Sequence, residues 1–236
     1  MVCSSFRLIS RIYPTFCRTK RACGFTLVEL LVVIAILGIM MAVVAPSLPS
    51  MLGAKAIGKA ANEVAAVLDR ARAEAMARRT YVYVGFLNTT NATGNSEVRV
   101  GAAASLDGTS NTSTANLRAL TRVLPIENMQ MTDLGGLPQS VKSQALKDIT
   151  IKDFVIQEDM PRVTFTIGKE GKFTNVPGII ISPQGELLPA AASFSFLPSA
   201  SIGLVPTRKT TPLTNGKDGA IVTYRGGSGR IEITRP

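Results

Sequence analysis

The chain has 236 residues and a net charge of +10, from 26 lysines and arginines against 16 aspartates and glutamates. It contains no histidine, and all three cysteines precede Gly24, so the commonest general base, the commonest zinc ligand and any disulfide are missing from the remainder. We therefore expect no enzyme activity, no cofactor and no metal site.

Residues 1–24 carry basic side chains and no acidic one. Their positive charge amounts to half of the net charge of the chain, which indicates a targeting signal and not a nucleic-acid footprint. The basic residues of this segment are Arg7, Arg11, Arg18, Lys20 and Arg21.

An apolar run follows, in which only Thr26 and Glu29 are polar between Phe25 and Ala45. As a helix it would be about 31 Å long, close to the hydrocarbon thickness of a bilayer. Because the basic flank precedes the run, we expect residues 1–24 in the cytoplasm and the C-terminal domain on the other side.

Three interpretations of this run compete. A cleaved secretory signal would have a shorter apolar core, and "APSLPS" is a poor match to a small-x-small cleavage site. An ordinary uncleaved anchor fits the length but leaves Glu29 unexplained, because a carboxylate in lipid costs about 3 kcal/mol on insertion scales. The third interpretation uses Glu29.

The stretch "GFTLVELLVVIAILG", Gly24 to Gly38, resembles the signature of type IV pilins and type II secretion pseudopilins. The resemblance implies that a prepilin peptidase cuts after Gly24 and that the new Phe25 terminus is N-methylated. Gly38 and Pro46 match positions where pilin-like helices carry a glycine and a proline, and they imply a kink or local melting of the helix in a filament.

Cleavage would give Phe25 a cationic amine, with Glu29 four residues along on the same helical face. In a filament, Glu29 of one subunit could pair with the Phe25 amine of its neighbour and so set the axial register. The simpler alternative is that the Glu29 side chain extends towards the lipid headgroups.

Residues 46–79 have the pattern of an amphipathic helix, for which we expect packing on a sheet of its own domain. The alternative is a basic helix that lies on a membrane, although an alanine-rich stripe anchors weakly. The apolar stripe consists of Ile57, Ala61, Val64, Leu68, Ala71 and Ala75.

Beyond residue 79 the pattern alternates with period two, which predicts strands at 80–87 and "EVRVGAAAS", and hairpins at "RVTFTIGKEGKFTNV" and "GAIVTYRGGSGRIEITRP". A further strand is predicted at "ASFSFLP", and the low-complexity loop 106–116 is expected to be mobile. The fold class is therefore α+β: a long hydrophobic then amphipathic N-terminal helix packed on an antiparallel sheet domain.

This order resembles the H-type minor pseudopilins, the FimT-like minor pilins and the pilin-like proteins labelled Verru_Chthon cassette protein D. The domain boundaries expected are 1–24 for the leader, 25–45 for the membrane and filament-core helix, 46–79 for its amphipathic continuation and 80–236 for a periplasmic β-rich domain.

Basic residues gather near the C-terminus, and FimT-like minor pilins bind DNA through such a region. Clustered cations are all that phosphate contacts need. Glu232 lies among them, however, and only Tyr224 could stack on a base. A solvated strand face is the simpler interpretation, with Arg225, Arg230 and Arg235 as the DNA-contact candidates. Calcium loops at 105–111 and 214–220 have too few carboxylates for good sites.

The function predicted is that of a structural subunit, a minor pseudopilin of a type II secretion-like or pilus-like filament. Its expected partners are the prepilin peptidase, other pilin-like subunits and the inner-membrane assembly platform. We expect a single-pass protein of the bacterial inner membrane that later enters a periplasmic filament. Nucleic acid is not an expected partner, and a DNA-binding minor pilin of an uptake system is the alternative.

Overall fold

The structure is a computed structural model. It describes residues 26–44, 48–111, 113–133, 135–148, 160–168, 171–190, 195–213 and 218–235. The chain divides into two compact units, Met1–Ser47 and Leu48–Pro236.

The described part of the first unit is one helix, α1 (Leu27–Val44). It has 18 residues, which give a length of about 27 Å. Both ends of the predicted 25–45 helix, Phe25 and Ala45, lie outside the described residues. Within the described ranges, no helix combines the length and the apolarity that a membrane span requires.

The second unit begins with α2 (Leu48–Arg78), a helix of 31 residues. The apolar stripe predicted from the sequence is confirmed, because each of its members is at most 2% exposed. The stripe is rich in alanine, which lets the helix axis approach the sheets closely. Its members are Ile57, Ala61, Val64, Leu68, Ala71 and Ala75.

The other regular elements that the structure describes belong to the second unit. The third helix is α3 (Gln139–Asp148), and one 3-10 turn covers Thr114–Asn116. The strands are β1 (Val82–Thr90), β2 (Ser96–Ser105), β3 (Leu117–Ala119), β4 (Leu124–Glu127), β5 (Met129–Thr132), β6 (Arg162–Ile167), β7 (Gly171–Ile181), β8 (Leu187–Leu188), β9 (Ser199–Arg208), β10 (Thr211–Pro212), β11 (Ala220–Arg225) and β12 (Ile231–Thr234).

These strands form two sheets in which every pair is antiparallel. Sheet one has seven strands in the order β3-β2-β1-β7-β6, with β4 paired to β2 and β8 paired to β7. Sheet two has five strands in the order β10-β9-β11-β12, with β5 paired to β9. The α+β class is therefore confirmed, as a helix followed by a β-rich domain.

The main core lies between α2 and one face of each sheet. Alternate residues of the strands point into it, as Val82, Val84 and Phe86 do from β1 and Ile202 and Leu204 do from β9. Burial against both sheets stabilises α2 from Ile57 onward, although the helix contains two glycines, Gly53 and Gly58, and several β-branched residues.

A second, smaller core lies on the opposite face of sheet one, where the β6–β7 hairpin folds over β1 and β2. Its centre is a stacked pair, Phe165 and Phe173, with ring centroids 4.9 Å apart. The rings lie over Gly85 and Gly101, which are directly opposite each other in the β1–β2 register. A Cβ at Gly101 would be 2.7 Å from the Phe173 ring, so the absence of a side chain makes this layer possible.

The hairpins predicted at 162–176 and 219–236 are confirmed as β6–β7 and β11–β12. Residues 192–194 of the strand predicted at "ASFSFLP" lie outside the described residues, residues 195–198 belong to no strand, and the next strand begins at Ser199. That strand, β9, contains Gly203 and Pro206, which disfavour a strand interior on local grounds. Burial of Ala200, Ile202 and Leu204 against α2 overrides that preference.

Candidate functional site

The start of α1 is capped by Thr26. The Glu29 amide donates a hydrogen bond to Thr26 Oγ1 at 3.2 Å, and the Leu30 amide donates to the Thr26 carbonyl oxygen at 3.2 Å. Thr26 and Glu29 thus have the T-x-x-E spacing of a capping box. An acidic side chain in the first turn also interacts favourably with the helix dipole. Glu29 therefore stabilises the start of this helix within its own chain, without any contribution from another subunit.

Thr26 is a functional residue that the sequence analysis missed. The signal was present, since a threonine three residues before a glutamate at the head of an apolar run indicates a helix start. The predicted cleavage residues, Gly24 and Phe25, lie outside the described residues. Cleavage and methylation there stay predictions.

The apolar side chains of α1 are exposed wherever the structure describes their burial. Every residue from Leu27 to Met41 is exposed, and the large apolar ones are 44–78% exposed. A helix that is apolar on all faces is stable only in apolar surroundings, so α1 needs a lipid or protein environment.

Gly38 lies inside α1, and nothing comes within 4 Å of the place where its Cβ would be. A clash between a larger side chain and its neighbours therefore does not explain why this position is a glycine. Pro46 lies outside the described residues. The helix is continuous at Gly38 in the single chain, and the unwinding predicted for a filament stays a prediction.

The C-terminal arginines do not form one cluster. Arg225 contacts Glu232 Oε2 through Nη2 at 3.0 Å and Nε at 3.3 Å, and Arg230 Nε lies 3.5 Å from Glu232 Oε1. Two of the three DNA-contact candidates thus share one carboxylate at the β11–β12 hairpin. Arg235 lies elsewhere, over α2 at Gly58.

A second arginine contact was not predicted from the sequence. Arg72 of α2 donates to the carbonyl oxygens of Ser228 at 2.7 Å and Gly229 at 3.1 Å, in the turn between β11 and β12. Beside it, the Tyr224 hydroxyl donates to the Gly185 carbonyl oxygen at 2.7 Å. Burial raises the pKa of Tyr224 to about 12, against an opposing effect of the Arg72 charge. Arg72 thus ties the β11–β12 turn to α2, and Tyr224 ties the β7–β8 turn to β11.

The loop 106–116 is organised by Asp107, although low complexity predicted a mobile loop. Its Oδ1 accepts hydrogen bonds from Ser105 Oγ at 2.9 Å, from the Thr109 amide at 2.9 Å and hydroxyl at 2.7 Å, and from Asn116 Nδ2 at 2.7 Å. The hydrogen bonds from Thr109, then that from Asn116, hold the pKa of Asp107 well below its usual value.

These hydrogen bonds occupy Asp107 Oδ1, a carboxylate oxygen that a calcium ion would need as a ligand. Residues 214–217 of the other candidate loop lie outside the described residues. Across the described ranges, no group of three or more metal-ligand side chains comes together.

Comparison with known proteins gives one family match. The family model described as "Prokaryotic N-terminal methylation motif" matches residues 19–45. Among solved structures, the crystal structure of the type IV minor pilin FimU of Pseudomonas aeruginosa (strain PAO1) is similar, with 14% identity and a TM-score of 0.33. That match covers 76% of this chain and 88% of the FimU chain. No curated protein matches the chain.

The family match spans the cleavage junction, Thr26, Glu29 and the whole of α1. A prepilin motif implies an N-terminus anchored in a membrane, which agrees with the uncovered apolar surface of α1. The N-terminal segment of this chain therefore carries a prokaryotic N-terminal methylation motif, ahead of an α+β domain.

Proposed function

We propose that the protein is a structural subunit, with no catalytic role, of a type II secretion-like or type IV pilus-like filament. A prepilin peptidase cuts after Gly24 and methylates Phe25. The segment from Phe25 to Ala45 then anchors the subunit in the inner membrane, with its N-terminus in the cytoplasm and the β-rich domain in the periplasm. An assembly platform later transfers it to the filament core.

The observation that carries this proposal is the uncovered apolar surface of α1 together with its single acidic residue. Both lie within the segment that matches the N-terminal methylation motif. Lipid and a bundle of identical helices are the two surroundings that satisfy such a helix. A pilin-like subunit uses both in turn.

Glu29 has a specific role in this scheme. Its side chain is exposed, it lies in the first turn of α1, and its own subunit's amine would be four residues away. In the filament core, Glu29 pairs with the methylated amine of a neighbouring Phe25. A buried pair of this kind is strongly position-dependent, because one unpaired buried charge costs about 3–5 kcal/mol. The pair therefore sets the stagger between neighbouring helices.

The contacts of the C-terminal arginines favour this structural role over DNA uptake. A DNA phosphate would have to compete with Glu232 for both Arg225 and Arg230. The third candidate, Arg235, does not join them. We therefore propose the role of a minor pseudopilin and keep the DNA-binding minor pilin as the alternative.

The intact mass of the membrane-bound protein tests the proposal. We expect loss of residues 1–24 and a gain of one methyl group, measured by mass spectrometry of membranes that contain a prepilin peptidase. A Gly24→Val variant is the matched control, in which a bulky side chain at the junction should leave the leader in place. Wild-type protein that keeps its leader beside an active peptidase would contradict the scheme.

A further inference from the structure

The β1–β2 hairpin carries asparagines that lie in a sequence open to modification. Three N-x-S/T sequons occur in the chain, and they begin at Asn88, Asn91 and Asn111. Such a sequon is the acceptor motif for N-glycosylation of exported proteins. We propose that Asn91, at the tip of the hairpin, is the acceptor for an N-linked glycan and that the fold excludes Asn88.

The side-chain amide of Asn91 is held by its oxygen alone. Asn91 Oδ1 accepts hydrogen bonds from the Thr93 hydroxyl at 2.7 Å, from the Thr93 amide at 3.1 Å and from the Asn95 amide at 2.9 Å. Among the residues that the structure describes, no acceptor takes a hydrogen bond from Asn91 Nδ2. The nitrogen that would bond to the sugar is therefore unengaged while the hydroxyl of the sequon is already in place.

The tip of the hairpin leaves room for an enzyme. Ala92, Thr93 and Gly94 are exposed, and nothing lies within 4 Å of the Cβ position of Gly94. The turn is closed by a hydrogen bond from the Asn91 amide to the Asn95 carbonyl oxygen at 2.9 Å. A transferase can therefore reach Asn91 on the folded domain without separating a strand pair.

Asn88 has the same sequence motif and a different environment. It lies inside β1, and its side chain bonds to both backbone groups of Met131 in β5. Nδ2 donates to the Met131 carbonyl oxygen at 2.9 Å, and Oδ1 accepts from the Met131 amide at 2.9 Å. Both bonds must break before Asn88 can react, so it is an internal control. Thr112 of the third sequon lies outside the described residues, and Asn111 receives no assignment.

The transfer joins the amide to an activated sugar. The donor is an oligosaccharide whose C1 carbon is bonded to a polyprenyl diphosphate. The bond between C1 and Asn91 Nδ2 forms as the C1–O bond breaks, the diphosphate leaves with the electron pair, and a base of the transferase takes the proton from Nδ2. Loss of this proton places negative charge on Oδ1, which the three donors stabilise. The step rests on the proposed function, because it requires the domain to be exported.

The test incubates the full chain, in a neutral detergent, with a single-subunit oligosaccharyltransferase of N-x-S/T specificity and its polyprenyl-diphosphate oligosaccharide. Trypsin then releases residues 80–99, which hold Asn88 and Asn91 but not Asn111, for mass spectrometry. Asn88→Gln should keep the glycan on this peptide. Asn91→Gln should lower its occupancy by at least about tenfold, because Asn88 must first break two hydrogen bonds.

Two variants of Thr93 test the chemistry of the sequon. Thr93→Ser keeps a hydroxyl and should keep the glycan, whereas Thr93→Ala removes the donor to Asn91 Oδ1 and should lose it. The matched control is Thr90→Ala, which destroys only the Asn88 sequon and should leave the occupancy unchanged within about twofold. Circular dichroism verifies that each variant is folded.

An unmodified peptide from the wild-type chain would overturn the inference, as would equal occupancy in Asn88→Gln and Asn91→Gln. Retention of the glycan by Thr93→Ala would also overturn it. The intact mass of the membrane-bound protein reports on leader cleavage separately. A chain that keeps its leader but accepts the glycan contradicts only the proposed function, whereas a processed chain that accepts none contradicts only this inference.

Discussion

Gly101, Gly85 and Gly178 lie side by side across β2, β1 and β7 of sheet one. The first two make room for the Phe165 and Phe173 rings, and Gly178 is enclosed more tightly. A Cβ at Gly178 would lie 2.5 Å from a Val163 methyl and 2.6 Å from the Val84 carbonyl oxygen. This row of glycines thus determines how closely the β6–β7 hairpin approaches the sheet.

Gly178→Ala should lower the free energy of unfolding by about 1–3 kcal/mol, because the new methyl group meets a backbone atom that cannot rotate away. Urea unfolding of the full chain in detergent, followed by circular dichroism, measures the effect. Gly227→Ala is the control, since nothing lies within 4 Å of its Cβ position, and should change stability by less than about 1 kcal/mol. Equal effects of the two variants would contradict the role of the glycine row.

Single residues differ in how far the sequence reveals them. Glu29 was identified because a carboxylate inside an apolar run is costly wherever the run is placed. The glycine row could not be predicted, because it exists only in the register that brings three distant strands together. Arg72 was also missed, since its partners are the backbone carbonyls of a turn over 150 residues away.

At the scale of elements, two turns are held by side-chain hydrogen bonds, one from α2 and one from β11. Arg72 binds the β11–β12 turn, and Tyr224 of β11 binds Gly185 in the turn between β7 and β8. The first turn belongs to sheet two and the second to sheet one. Tyr224 therefore joins the two sheets at a point where no strand pairs across them among the described residues.

Tyr224→Phe should lower the free energy of unfolding by about 1–2 kcal/mol, because it removes the donor from a buried carbonyl oxygen and leaves the ring in place. Urea unfolding at neutral pH measures this loss, with Tyr81→Phe as a half-buried control that should change little. A Tyr224→Phe protein as stable as the wild type would show that the two turns are held by other contacts.

The same substitution should change the alkaline behaviour. Burial raises the pKa of Tyr83 and of Tyr224 from 10.0 to about 12. A phenol with a raised pKa stabilises the fold fully below pH 10, and this contribution is lost as the pH rises towards 12. Between pH 10 and pH 12 the free energy of unfolding of the wild type should fall with a slope that corresponds to up to about two protons. For Tyr224→Phe the slope should correspond to about one proton. An unchanged slope would contradict this assignment.

Elements were predicted best where one residue pattern coincided with burial. The apolar stripe of α2 follows the helical period and the two hairpins follow a period of two. Both periods can be read directly from the sequence. β9 was missed because its glycine and proline are unfavourable locally and its pairing with β5 and β11 is non-local. The loop 106–116 looked unstructured because its order comes from side-chain acceptors, which leave no periodicity.

At the scale of the whole molecule, the assembly role proposed for Glu29 gives a prediction. Glu29→Gln should leave the leader cleavage unchanged but lower the yield of filaments by at least about 100-fold, because the neighbouring amine would be buried without a countercharge. Glutamine still suits the fourth position of a capping box, so the start of α1 is preserved. The readout is the amount of subunit in sheared or crosslinked filaments.

Glu127→Gln, at an exposed position of β4, is the matched control and should assemble normally. Filaments of normal yield and stagger from the Glu29→Gln protein would mean that Glu29 serves only the helix start. The overall α+β class and the anchor motif could be predicted from the sequence, whereas the division of the β-rich part into two sheets could not, because it depends on contacts with α2.

The hydrophobic clusters of the described domain include no residue before Ile57. Under the proposed function, the side chains of these clusters stay packed together when the first helix moves from the bilayer to the filament core. Extraction from the bilayer would then require the domain neither to open nor to refold. Each subunit would keep its domain folded during the transfer, and only the solvation of its anchor would change.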